Sequence, residues 1–202
     1  MQRSVAAVLD RLEGKRVREP SIDAEELRLP CVRHAGQAEV WDGEELENAV
    51  VCGSGGGKTI LQPPVILRDI QRARPLIYLF GEGIYMYVAP TLTLFDLQAA
   101  HYFRDLFEDE LKLGRYLSGS KPKFVFSPEG SLRLLGFESR VVVNIAYASD
   151  SSNLESARAI GGCWDEVGQK ENKMRSYYAL DRRLNVARGY NEEGPMREAM
   201  WR

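Results

Sequence analysis

The sequence predicts an α+β fold, a small antiparallel or mixed sheet of about five strands packed with one main helix, with helical arms at both ends. Three observations carry this. Several short runs are rich in β-branched and aromatic residues and are bounded by Gly, Pro and Ser. One long segment, TLFDLQAAHYFRDLFEDELKL, has helical periodicity. The order of strands, then helix, then strands with short connections departs from the regular alternation of a parallel nucleotide-binding sheet.

The most apolar and aromatic stretch is PLIYLFGEGIYMYVAP, from Pro75 to Pro90. Leu76 to Phe80 and Ile84 to Val88 read as two strands joined by Gly81-Glu82-Gly83, a hairpin loop of the kind that needs positive φ. Both runs are apolar at nearly every position, so both faces should be covered. The long helix follows, with Thr93 and Asp96 as a capping box. Its buried stripe is Phe95, Ala99, Tyr102, Phe103 and Leu106, and its stop is Gly114. Three further strands are expected at Lys123 to Ser127, Leu132 to Phe137 and Arg140 to Ala148, the last with Val141, Val143, Ile145 and Tyr147 on one face.

The flanks divide the chain into three parts: an N-terminal helical arm and linker over 1–30, an α+β core over 31–150, and a C-terminal helical arm and tail over 151–202. Val5, Val8, Leu9 and Leu12 form a helical stripe ending at Gly14, which reads as a docking helix because Asp10 and Glu13 are out of place in an organelle-targeting segment. Pro20 and Pro30 bracket the linker. Val40 and Trp41 suggest a short strand before the acidic cluster Asp42, Glu44, Glu45 and Glu47. Beyond Asp150, Ser152 and Glu155 suggest a capped short helix running to Gly161-Gly162. From Lys170 a second helix carries Met174, Tyr177, Leu180, Leu184 and Ala187, with Lys170, Lys173, Arg175, Arg182 and Arg183 off the stripe.

Composition excludes several functions. The 202 residues are 44% apolar and 28% charged with a net charge of −2, which supplies no global attraction for nucleic acid or anionic lipid. Cys31, Cys52 and Cys163 are odd in number and widely spaced, and only His34 and His101 accompany them; neither a disulfide framework nor a structural zinc site is expected. A reducing compartment such as the cytoplasm, or an organelle, is expected rather than secretion. No apolar run reaches the roughly 20 residues of a membrane span, so a soluble protein is expected.

Gly53-Ser54-Gly55-Gly56-Gly57-Lys58-Thr59 is the segment that suggests chemistry, since Gly55, Gly57, Lys58 and Thr59 have the ending of a phosphate-cradling loop. Cys52 stands where that pattern requires Gly, and Pro63-Pro64 should stop the helix that has to aim its dipole at the phosphate. Arg68, Arg72 and Arg74 follow, and read as a solvated face rather than a phosphate clamp. His101 and Asp105 are four apart on one helical face, without a partner nucleophile. Glu108-Asp109-Glu110 continue that polarity, but consecutive helical positions diverge, which argues against a metal cluster. No catalytic residue, metal ligand or cofactor is expected.

The expectation is therefore a non-catalytic structural or interaction subunit of a larger multi-protein assembly, a virus particle or an organellar complex. Its partners are other protein subunits, possibly copies of itself. The expected interface is Met174, Tyr177, Leu180, Leu184, Tyr190, Met200 and Trp201, apolar groups on an arm too loosely arranged to bury them alone. The alternative is a nucleotide- or phosphate-binding enzyme or switch using residues 53–59.

Overall fold

The computed structural model describes residues 35–42, 50–51, 55–149, 154, 159–166 and 174–192. Its elements are α1 (Ala35–Asp42), α2 (Lys58–Arg72), α3 (Arg74–Phe80), β1 (Glu82–Ala89), α4 (Leu92–Gln98), α5 (Ala100–Arg104), a π-helical turn (Asp105–Glu110), β2 (Gly114–Leu117), β3 (Lys123–Phe126), α6 (Pro128–Leu135), β4 (Arg140–Tyr147), β5 (Gly161–Trp164) and α7 (Met174–Glu192). The strands form one mixed sheet in the order β2-β3-β4-β1-β5. β1 runs parallel to β4 and β5, with Tyr85 opposite Val143 and Gly161, while β3 is antiparallel to both β2 and β4. The α+β class and the five-stranded mixed sheet are as the sequence predicts.

Alternation along the two central strands makes the two faces. Tyr85, Tyr87 and Ala89 of β1 join Val141, Val143 and Ile145 of β4 in a first core that also takes Ile66, Leu67 and Ile70 of α2, Phe95 of α4, Phe103 of α5, and Phe107 and Phe124. Met86, Val88, Ala146 and Ala148 face the other way, into a smaller core with Leu154, Ala159, Ala179 and Leu180.

No hairpin forms at 76–88. Leu76 to Phe80 lie in helix α3, which opens with Pro75 in its first turn and stops at Gly81, whose left-handed φ of 75° closes the helix with an N–H bond to the Ile77 carbonyl. Leu132 to Leu135 likewise belong to α6, not to a strand: the Ser127 hydroxyl accepts from the Gly130 N–H at 3.0 Å, Pro128 takes the first helical position, and Gly136 (φ 78°) ends it. Gly130 is also required for space, because a Cβ there would lie 1.9 Å from the Leu113 carbonyl oxygen.

Pro63 and Pro64 do not end α2. Both are buried within it, and each removes one backbone donor. Ile66, Leu67 and Ile70 are buried against the first core and Leu61 is buried on another side of the helix; at roughly 1.5–3 kcal/mol apiece the four offset a cost of about 3 kcal/mol per interior proline. Val40 and Trp41 lie in α1 and form no strand.

The long helix of 93–113 is segmented. Thr91, not Thr93, caps it by accepting from the Leu94 N–H at 3.2 Å, and its last turn widens to a π-helix closed by Leu111 N–H to Leu106 carbonyl at 3.0 Å. Of its predicted stripe, Phe95, Ala99, Phe103 and Leu106 are buried, and Tyr102 is half-buried. Gly161 and Gly162, expected to stop a helix, start β5, so the sheet draws an edge strand from beyond residue 150. The predicted N-terminal helix, its linker and the 152–155 capping box lie outside the described residues.

Candidate functional site

The glycine segment enters α2 directly. Gly57 adopts a left-handed φ of 74°, Lys58 and Thr59 are the first two helical residues, and Gly55 (φ 79°) precedes them. The helix is continuous behind this N-terminus, so the prolines are no obstacle to a dipole. The strand is what fails: Val50 and Val51 lie in no strand and are 43% and 95% exposed. The loop packs instead on α1, with Gln37 Nε2 donating to the Gly57 carbonyl at 3.2 Å. A phosphate cradle needs a strand that fixes the loop against a sheet, and among the described residues none leads into Gly55 to Thr59. Cys52 lies outside the described residues.

The three arginines are not one solvated face. Arg68 is buried, pairs with the Asp69 carboxylate at 2.9 Å, and donates to the carbonyls of Val40 and Trp41, tying α1 to α2. Asp69 also accepts from the Tyr85 hydroxyl at 2.9 Å. Two turns earlier on α2, the Tyr87 hydroxyl donates within 2.8 Å of Gln62 Oε1 and lies 3.1 Å from Asp165 Oδ2, while Gln62 Nε2 donates to Asp165 Oδ1 at 2.7 Å. Burial, then the neighbouring Asp69 for Tyr85 and Asp165 for Tyr87, pushes both phenols well above the ordinary tyrosine range. Cys163 on β5 packs beside them, and burial, then Asp165 and Asp69, pushes its thiol up as well. A thiol kept protonated this way is a poor nucleophile. This network fastens α2 to β1 and β5; the alternation of Tyr85 and Tyr87 on one strand face was its sequence signal, and the fold supplied the partners.

A groove of about 490 Å³ opens where α4, α5 and the π-turn meet β2, lined among others by Asp96, His101, Arg104, Asp105, Asp109 and Tyr116. The helical spacing brings His101 and Asp105 to this groove as expected, and Glu108 and Asp109 also line it. Glu108 accepts from the Tyr116 backbone N–H, and the Arg104 guanidinium sits 4.7 Å over the Tyr116 ring. Desolvation, with Asp96 adding to it, pushes the Tyr116 phenol up to about 12. A phenol, a guanidinium stacked on it and exposed carboxylates make this a polar, mainly acidic surface; no described residue there is set up as an activated nucleophile. Among the described residues no three His, Cys, Asp or Glu side chains converge to hold a metal ion.

Helix α7 has two faces. Ser176, Ala179 and Leu180 are buried, and the Ser176 hydroxyl donates to the Ala148 carbonyl at 2.7 Å. Leu180 belongs to this chain's own second core, with Leu184 partly buried against it, so these two leave the outward stripe expected of 174–184. Gly162 lets the helix approach, since a Cβ there would lie 3.3 Å from Leu180. Met174, Tyr177 and Tyr178, spaced i, i+3 and i+4, are 63%, 40% and 53% exposed. The Tyr177 ring lies 5.9 Å from both Trp164 and Tyr178, forming a continuous aromatic patch. Arg175 and Arg182 are exposed beside it. The Tyr190 side chain, Met200 and Trp201 lie outside what is described. Among the described residues no helix is long and apolar enough to cross a membrane. In comparison with known proteins, no family model matches the chain, and neither the curated proteins nor the solved structures give a match.

Proposed function

We propose that this protein is a non-catalytic interaction subunit of a multi-protein assembly, docked through the outward face of α7. The observation that carries this is the exposed stripe Met174, Tyr177 and Tyr178 on a helix whose opposite face is already buried. A helix needs one apolar face to join its own domain; a second face, aromatic and flanked by arginine, has the composition of an interface centre. Tyr and Arg dominate binding energy where they are desolvated, so these are the anchors such a contact would use.

Size-exclusion chromatography of the full chain in a lysate of its source cells tests this. The unaltered protein should elute in a complex well above its own 22.8 kDa, and Tyr177→Ala with Tyr178→Ala should shift it to the monomer position. Elution of the unaltered chain as a monomer, or no shift in the double variant, contradicts the proposal.

A further inference from the structure

The basic-aromatic face of α7 and the acidic groove lie at opposite edges of the sheet. α7 packs against β5, and Tyr116 of the groove belongs to β2, with three strands between them. At about 4.8 Å per strand step, roughly 19 Å separates the two edges. One copy cannot bring its own two surfaces together, whereas two copies can.

Their chemistry is complementary. On α7, Arg175, Tyr178 and Arg182 are spaced i, i+3 and i+7, so they share one side of the helix over about 10 Å of its length. Arg175 and Arg182 make no ion pair among the described residues. Asp181 beside them is half-buried and already engaged. In the groove, Asp96, Asp105 and Asp109 are exposed, and Arg104, the one arginine of the lining, is held over Tyr116. A convex face with two guanidinium groups that make no ion pair among the described residues, set about a Tyr, thus matches a concave face with three exposed carboxylates, of which Asp96 also accepts from the Tyr116 hydroxyl at 3.5 Å.

We infer that the α7 face of one copy seats in the groove of a second copy, joining copies head to tail through Arg175, Tyr178 and Arg182 against Asp96, Asp105 and Asp109. The inference rests on the reading of α7 as an interface and names its partner. Because the two surfaces differ, the contact is heterologous, and repetition produces a ring or an open filament rather than a closed pair.

Sedimentation velocity on the purified full chain and two charge-reversed variants tests it. The unaltered chain should self-associate with concentration, and the association should weaken at least tenfold from about 50 to about 500 mM salt. Arg175→Glu with Arg182→Glu, and separately Asp105→Lys with Asp109→Lys, should each be monomeric. Mixed in equal amounts they should form a complex again, because one retains a native groove and the other a native α7 face; this recovery also shows that both are folded. A monomeric unaltered chain, self-association that both variants retain, or a mixture that stays monomeric overturns the inference. If the unaltered chain is monomeric alone yet enters a larger complex in lysate that the α7 tyrosine variants abolish, the interface stands and its partner is a different protein.

Discussion

The two faces of the sheet solve the same burial problem differently. The first is closed by aromatic packing: Phe103 lies within 5.0–5.6 Å of Tyr87, Phe95, Phe107 and Phe124, and every polar group of the Gln62-Tyr87-Asp165 and Arg68-Asp69-Tyr85 networks finds its partner inside the chain. The second is covered with smaller side chains, Ala146, Ala148, Ala159 and Ala179 among them, under a helix that leaves its own tyrosines outside. The first face thus holds the larger core, and on the proposal above α7, over the second, presents a docking surface.

The contrast breaks most severely at Phe103. Its complete burial predicts that Phe103→Ala costs about 3–5 kcal/mol in urea denaturation; a cost under 1 kcal/mol would remove the first face from its stabilising role. Alkali attacks the same face. Tyr85 and Tyr87 hold their protons more tightly folded than unfolded, so their contribution is intact below the unfolded tyrosine value near 10 and falls as pH rises beyond it. Thermal melts should show stability declining above about pH 10, and the decline should be shallower in Tyr87→Phe. At the support of this face, Gly130→Ala forces a side chain against the Leu113 carbonyl and should cost about 1–3 kcal/mol. The Thr91 cap is smaller still, with Thr91→Ala expected to cost about 1 kcal/mol. On the second face, Tyr178→Ala should leave folding stability within about 0.5 kcal/mol of the unaltered chain. A larger loss would make Tyr178 part of the fold and blur the distinction between the faces.

Much of the first face was legible in the sequence, because long periodic signals report burial directly. Phe95, Phe103 and Leu106 at helical spacing, and Val141, Val143 and Ile145 at strand spacing, all reach the core they imply. Short apolar runs misled. Leu76 to Phe80 and Leu132 to Phe137 were strands by residue type, yet each falls in a helix framed by a proline in its first turn and a glycine at its end, Pro75 with Gly81 and Pro128 with Gly136. Those pairs were the better signal, since a short segment of four or five apolar residues fits either structure. For the candidate sites, His101 and Asp105 were readable as neighbours, but Tyr116 joins them only through the return of β2. The stripe on α7 was readable as apolar and not as two-sided: Leu180 and Tyr177 are three residues apart, and Leu180 is the one that packs inward, close over Gly162 on β5.

The most direct measurement is photo-crosslinking in the source cells with a benzoyl-phenylalanine introduced at Tyr178 and, as a control, at Glu129, an exposed residue at the start of α6. With α7 as the docking face, position 178 should give a discrete protein adduct and position 129 none. No adduct from position 178, or equal yields from both positions, would contradict α7 as the docking face.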